Sequence, residues 1–223
     1  EQALVCVPNE FPKPRDDGFQ EAVSELIQGL VFAARRSTLV LFTSYGMLNQ
    51  TYKDLEQPFG RLGIPLMAQG ISGPRTLILD RFRNTRGSVL LGTDSFWEGI
   101  DVPGEALELL VLVKLPFAVP SEPVIEAQIE QLDQAGKNSF MEFLVPEAVI
   151  KFRQGFGRLI RSGSDRGAVV ILDQRVIGTR YGSLFLDALP TGHNVYPTAD
   201  DLVDGVTGWF DRNGGSSSDS QEQ

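Results

Sequence analysis

The residues best suited to chemistry lie in one run, Gln154-Gly155-Phe156-Gly157-Arg158-Leu159-Ile160-Arg161. Read as a helix that advances roughly 100° per residue, the run divides into two sides. Phe152, Phe156 and Leu159 share one side, spaced by four and then three residues. Gln154, Arg158 and Arg161 share nearly the opposite side at the same spacings. The apolar stripe can pack on a sheet while two guanidiniums and a carboxamide project together into a cleft. A guanidinium carries a fixed fork of N–H donors and a charge that does not titrate away, so two of them suit a phosphoryl group in transfer. Gly155 and Gly157 each cost a helix roughly 1 kcal/mol relative to Ala, so another surface is expected to come close there. The plainer alternative is a helix whose arginines lie in water or pair with Asp165 and Asp173.

Two further segments place small polar residues where a strand runs out. Gly92-Thr93-Asp94-Ser95-Phe96-Trp97-Glu98-Gly99-Ile100-Asp101 follows the strand-like Ser88–Leu91. Gly92 and Thr93 could offer backbone N–H and a hydroxyl to a phosphate. Glu98, Gly99 and Asp101 could reach a ribose, a metal-bound water or an arginine of a facing domain. The alternative is a polar turn with Trp97 as a core anchor. Leu39–Phe42 runs into Thr43-Ser44-Tyr45, where Ser44, Tyr45 and the first N–H groups of a helix make a phosphate seat; Tyr45 could equally be a packed aromatic.

The elements that must position these residues can be read from periodicity. Short apolar runs at Leu4–Val7, Thr38–Thr43, Pro65–Ala68, Ser88–Gly92, Leu107–Val113 and Ala168–Leu172 resemble strands covered on both faces. Helical repeats lie at Asp16–Arg36, Tyr45–Glu56, Arg75–Asn84, Pro123–Ala135 and Pro146–Ser162, with a last helix at Asp200–Arg212 docked by Trp209 and Phe210. Strand–helix alternation implies an α/β fold, a doubly wound and mostly parallel sheet with helices on both faces. Pro116–Phe143 interrupts the alternation as a long acidic excursion. Residues 1–212 are expected to form one domain, and 213–223 a disordered polar tail that cannot bury enough surface to order itself.

The 223 residues suffice for one well-buried core, and 42% are hydrophobic, as in a globular chain. No run of about 18 apolar residues occurs, so no membrane span is expected. The start at Glu1 reads as a piece of a longer protein, with a cytoplasmic origin. Cys6 alone cannot form an intramolecular disulfide or a multi-cysteine metal site. The net charge of −9 argues against general nucleic-acid binding. Its distribution is uneven: Lys151–Arg180 holds seven basic and two acidic residues, whereas Asp187 to the end holds seven acidic and one basic. A basic face can therefore meet phosphates within an acidic chain.

The three segments, in this order, resemble the second motor domain of superfamily 2 helicases, in the DinG branch of the XPD/Rad3-like group. Gln154, Gly157, Arg158 and Arg161 match that group's final motif, Gln-x-x-Gly-Arg-x-x-Arg. Phe96–Asp101 is similar to the preceding motif and Phe42–Tyr45 to the first motif of the domain; Lys114-Leu115-Pro116-Phe117 and Ile171–Arg175 are also DinG-like. The resemblance runs from about Leu4 to Leu189 and implies a RecA-like (P-loop NTPase-type) fold and DNA-dependent ATP hydrolysis with 5′-to-3′ movement along single-stranded DNA. It further implies catalytic Arg158, Arg161 and Gln154, nucleotide contacts by Glu98, Gly99, Asp101 and Gly157, and DNA contacts by Ser44, Tyr45, Gly92 and Thr93. ATP and Mg2+ would be held mainly by a first motor domain of the same protein, which with single-stranded DNA is the implied partner.

No phosphate-cradling Gly-x4-Gly-Lys-Ser/Thr occurs in the sequence: Gly136-Lys137 has Gln131 and Asn138 where glycine and a hydroxyl are needed. The chain alone is therefore expected to hydrolyse negligible ATP. Two other classes compete. One is a dinucleotide enzyme prompted by Gly155-x-Gly157, although Ile160 replaces the third glycine; the other is a non-catalytic RecA-like domain that only binds nucleic acid or protein. His193 is read as a loop residue without a role, Cys6 as a buried small residue, and Phe117 as either a base-stacking or a packed aromatic.

Overall fold

Short apolar runs, richest in Val and Leu, form most of a central sheet. The computed structural model describes residues 2–93, 96, 106–157, 159 and 165–213. Its strands are β1 (Ala3–Pro8), β2 (Thr38–Leu41), β3 (Leu66–Ala68), β4 (Val89–Gly92), β5 (Leu109–Leu112), β6 (Gly167–Ile171) and β7 (Asn194–Tyr196). They form one seven-stranded sheet in the order β3-β4-β2-β5-β6-β1-β7, with every pairing parallel. Six of the seven correspond to the apolar runs. The seventh, β7, is an exposed edge strand beside exposed His193 and is held by its register with β1, Cys6 opposite Asn194 and Val7 opposite Val195.

The helices are α1 (Phe19–Ala34), α2 (Tyr45–Arg61), α3 (Arg75–Asn84), α4 (Pro123–Gln134), α5 (Val145–Phe156), α6 (Arg175–Gly178), α7 (Gly182–Asp187) and α8 (Ala199–Asn213). Successive strand residues point to opposite faces. Leu4 and Cys6 join the core under α1, α2 and α8, while Ala3, Val5 and Val7 join the core under α3, α5 and α7. Helices thus cover both faces, as the alternation implied. Trp209 and Phe210 seat α8 on the first core. Among the described residues, no helix is long and apolar enough to cross a membrane.

Two helix ends differ from the periodic reading. Helix α2 continues to Arg61, with Pro58 inside it. A proline there removes a backbone bond at a cost of roughly 3 kcal/mol, but the extra turn buries Phe59 completely, 5.6 Å from the ring of Phe32. Helix α5 closes at Phe156 rather than running on as α-helix to Ser162, and a π-helical turn at Phe140–Leu144 leads into it. The acidic excursion is built around α4, none of whose residues is buried.

Candidate functional site

A parallel sheet has two different edges, and the candidate residues divide between them. Ser44, Tyr45 and Thr93 follow the carboxyl ends of β2 and β4, and Gly92 closes β4. That is the edge where ligands gather in open α/β sheets. Gln154 and Gly157 lie at the far end of α5, which returns the chain to the amino edge, where β6 begins at Gly167.

At the carboxyl edge, Ser44 caps α2 from an extended conformation, its Oγ accepting the Met47 N–H at 3.4 Å. Tyr45 is 52% exposed. Its hydroxyl accepts from Gln69 Nε2 at 2.5 Å, and Gln69 Oε1 accepts both the Thr93 N–H at 2.8 Å and the Thr93 hydroxyl at 3.0 Å. Three strand ends are therefore tied through one carboxamide. Gly92 and Thr93 were expected to offer backbone N–H and a hydroxyl to a phosphate; here the N–H and the hydroxyl of Thr93 are both directed to Gln69, and Thr93 is only 5% exposed. Gly92 has a local reason to be glycine, because a Cβ there would stand 2.9 Å from Phe96 Cγ. Gln69 was missed because it belongs to no motif; its signal was its place as the first polar residue after the Pro65–Ala68 run.

At the amino edge the apolar side of the expected division is present, and of its polar side Gln154 alone is described. Phe152, Phe156 and Leu159 are buried in one core, and Gln154 is exposed. Burying a phenylalanine contributes about 1.5–3 kcal/mol, so Phe152 and Phe156 fix which side of α5 faces out. Gly157 N–H bonds to Arg153 O at 3.0 Å, and the Leu159 N–H to Phe156 O at 3.0 Å, closing the helix in a turn. The expectation of a close surface at Gly157 is not met within the described residues. A Cβ there would meet only Arg153 O at 3.5 Å and Gln154 O at 3.6 Å, ordinary contacts with its own turn. Gly155 and Gly157 end a helix instead of opening one after a strand, which removes the dinucleotide reading. Arg158, Arg161, Glu98, Gly99 and Asp101, and with them Trp97, lie outside the described residues.

The surroundings settle several lesser alternatives. Asp173 follows β6 at the carboxyl edge and is fully buried; it accepts from Arg175 Nε at 2.9 Å and from the Leu115 N–H at 2.9 Å. It therefore lies at the opposite edge of the sheet from Gln154. Phe117 packs among Phe140, Tyr181 and Phe185 with centroids 5.7–5.9 Å apart, and Arg175 lies over its ring at 5.3 Å. Burial lowers the Lys114 ammonium from its ordinary range. Gly136-Lys137 leaves a helix, with Lys137 paired to Glu142 at 3.4 Å, and is not the strand-to-helix turn that cradles phosphate. Among the described residues no group of three or more His, Cys, Asp or Glu is placed to hold a metal ion. Cys6 is buried, and burial pushes its thiol up to about 12.

Known proteins share the sequence pattern and the fold of this chain. Residues 27–192 match the helicase C-terminal domain. The chain is 40% identical over 195 residues to the 3'-5' exonuclease DinG of Bacillus subtilis, which spans 86% of this chain and 21% of that protein. It is 38% identical over 190 residues to the ATP-dependent DNA helicase YoaA of Haemophilus influenzae, 85% of this chain and 29% of that one. The chain thus spans less than a third of the length of these relatives. Of solved structures, that of S. tokodaii Xpd4 aligns with a TM-score of 0.63 at 18% identity, covering 87% of this chain and 38% of the other. The fold they share is RecA-like, and the chain belongs to the helicase C-terminal domain family, in its DinG-type branch.

Proposed function

We propose that the chain is the second motor domain of an ATP-dependent DNA helicase. In this reading a first motor domain of the same protein binds ATP and Mg2+, and closure of the two domains brings Arg158 and Arg161 to the γ-phosphate. Two fixed guanidinium forks there stabilise charge that develops on the transferring group. Gln154 orients the attacking water or links to the facing domain, with Gly157 leaving room for it. Glu98, Gly99 and Asp101 line the nucleotide side and relay its state. Ser44, Tyr45 and Gly92 form part of the track for single-stranded DNA, with Thr93 held behind them by Gln69, so opening and closing of the domains advances the strand.

The observation that carries this reading is the outward face of Gln154 on an α5 anchored by Phe152, Phe156 and Leu159. The described part of the motif ends at a different sheet edge from Ser44 and Tyr45. Gln154 and Gly157, proposed on the nucleotide side, are thus set apart by the sheet from Ser44 and Tyr45, proposed on the DNA side.

The test is Arg158→Ala in the full-length protein. Single-stranded DNA binding without nucleotide should stay within about twofold, while DNA-stimulated ATP hydrolysis falls by about a thousandfold or more. Loss of both together, or of neither, would favour a domain that only binds.

A further inference from the structure

Hydrogen-bond accounting at the carboxyl edge gives Gln69 a role. A backbone N–H can only donate, so the oxygen of the Gln69 carboxamide must face Thr93 and its nitrogen must face Tyr45. The Thr93 hydroxyl, 3.0 Å from the same oxygen, donates to it as well. Both donors of Thr93 are thereby turned inward. At Tyr45 the effect is the reverse: the hydroxyl oxygen receives Nε2–H, and among the described residues nothing accepts the phenolic proton. The Tyr45 ring passes over Gly70, where a Cβ would lie 3.9 Å from Cε1, and the φ of +79° at Gly70 turns the chain away directly after Gln69. The exposed hydroxyl is thus held from one side and open on the other.

We propose that Gln69 is a positioning residue of the DNA track: it makes the Tyr45 hydroxyl an outward donor to a phosphate oxygen of single-stranded DNA and keeps Thr93 as a strut instead of a contact. The proposal rests on the track reading above. It identifies which proton of that site meets the strand and which residue outside the family-like segments sets its direction.

Charge separates this role from a merely structural one. In Gln69→Glu the carboxylate is nearly the same size and can still accept from Thr93. It would also draw the Tyr45 proton inward and set a negative charge beside the phosphate. A structural role predicts that Gln69→Glu is milder than removal of the side chain; the positioning role predicts that it is at least as severe.

The experiment is fluorescence anisotropy of labelled oligothymidylate with the full-length protein, without nucleotide, for Tyr45→Phe, Gln69→Glu and Gln69→Ala. Tyr45→Phe and Gln69→Glu should each raise Kd by about tenfold, the size expected for losing a hydrogen bond to a charged group. Gln69→Glu should bind no better than Gln69→Ala and should melt within about 2 °C of the native protein. If Tyr45→Phe weakens binding and Gln69→Glu stays within twofold, Gln69 has no positioning role and the track reading survives. If Tyr45→Phe and Tyr45→Ala both leave Kd unchanged, the track reading fails and the proposal with it. Should Gln69→Glu not fold, Gln69→Met, which has no donor for the Tyr45 hydroxyl and only a weak acceptor for Thr93, takes its place with the same tenfold expectation.

Discussion

Leu159 closes over Gly167: a Cβ on Gly167 would lie 2.7 Å from Leu159 Cδ1 and 2.7 Å from Glu108 O. This contact pins the end of the Gln154–Leu159 segment to the first residue of β6, at the amino edge of the sheet. Register across β6, β5 and β2 carries that level over to Thr38. Ser44 and Tyr45 follow the other end of β2, on the order of 15 Å away at about 3.3 Å per strand residue. Gln154 and Tyr45, assigned to different ligands in the proposed function, therefore lie at opposite edges of the sheet.

The lack of a Gly-x4-Gly-Lys-Ser/Thr run in the sequence predicts that the 223-residue chain alone hydrolyses ATP negligibly, because catalysis in such motors is positioning between two domains. Phosphate release is measured with ATP and single-stranded DNA. Steady turnover that vanishes in Arg158→Ala would overturn the expectation.

Gly92→Ala should destabilise the chain by about 1–3 kcal/mol, the usual cost of forcing atoms into a packed core. The new methyl meets the Phe96 ring, which is buried and has little room to retreat. Urea unfolding reads the change, and an unaltered midpoint would show that Gly92 is not kept small by Phe96.

Asp173→Ala should cost about 3 kcal/mol, the lower end for breaking a buried pair, since Arg175 is partly exposed and can rehydrate. The Leu115 N–H loses its acceptor in the same change. Asp173→Asn, which retains an oxygen for that N–H, should cost less. Equal unfolding midpoints for the two variants would assign the loss to the Arg175 pairing alone.

Alkaline stability should depend on Cys6. Burial pushes its thiol from the ordinary 9.0 up to about 12, so the folded chain keeps a proton that the unfolded chain releases above pH 9. This contribution is complete below pH 9 and is lost as pH climbs toward 12, at about 1.4 kcal/mol per pH unit. The stability difference between the native chain and Cys6→Ala should be constant below pH 9 and shrink above it. A difference independent of pH from 8 to 11 would remove Cys6 from this role.

Much of the architecture was legible because the relevant information is local. Six strands were written as short apolar runs, and α3 was bounded by Pro74 before it and the end of its apolar repeat after Phe82. What was not legible depends on contacts distant in sequence. β7 exists because Cys6 and Val7 offer it a paired edge from nearly 190 residues away. The last turn of α2 survives Pro58 because Phe59 finds Phe32. In the candidate site, Ser44, Tyr45 and the outward face of Gln154 could be read from motif and helical phase. The partnership of Gln69 with Thr93 and Tyr45 could not, since three strand ends converge there only once the sheet order is known.

The central claim is that this domain delivers arginine forks to a nucleotide held by another. DNA-stimulated ATP hydrolysis by the full-length protein carrying Arg161→Lys measures it most directly, because lysine keeps the charge and loses the planar fork. The account predicts a fall of about a hundredfold or more with single-stranded DNA binding retained. Hydrolysis close to the native rate would contradict it.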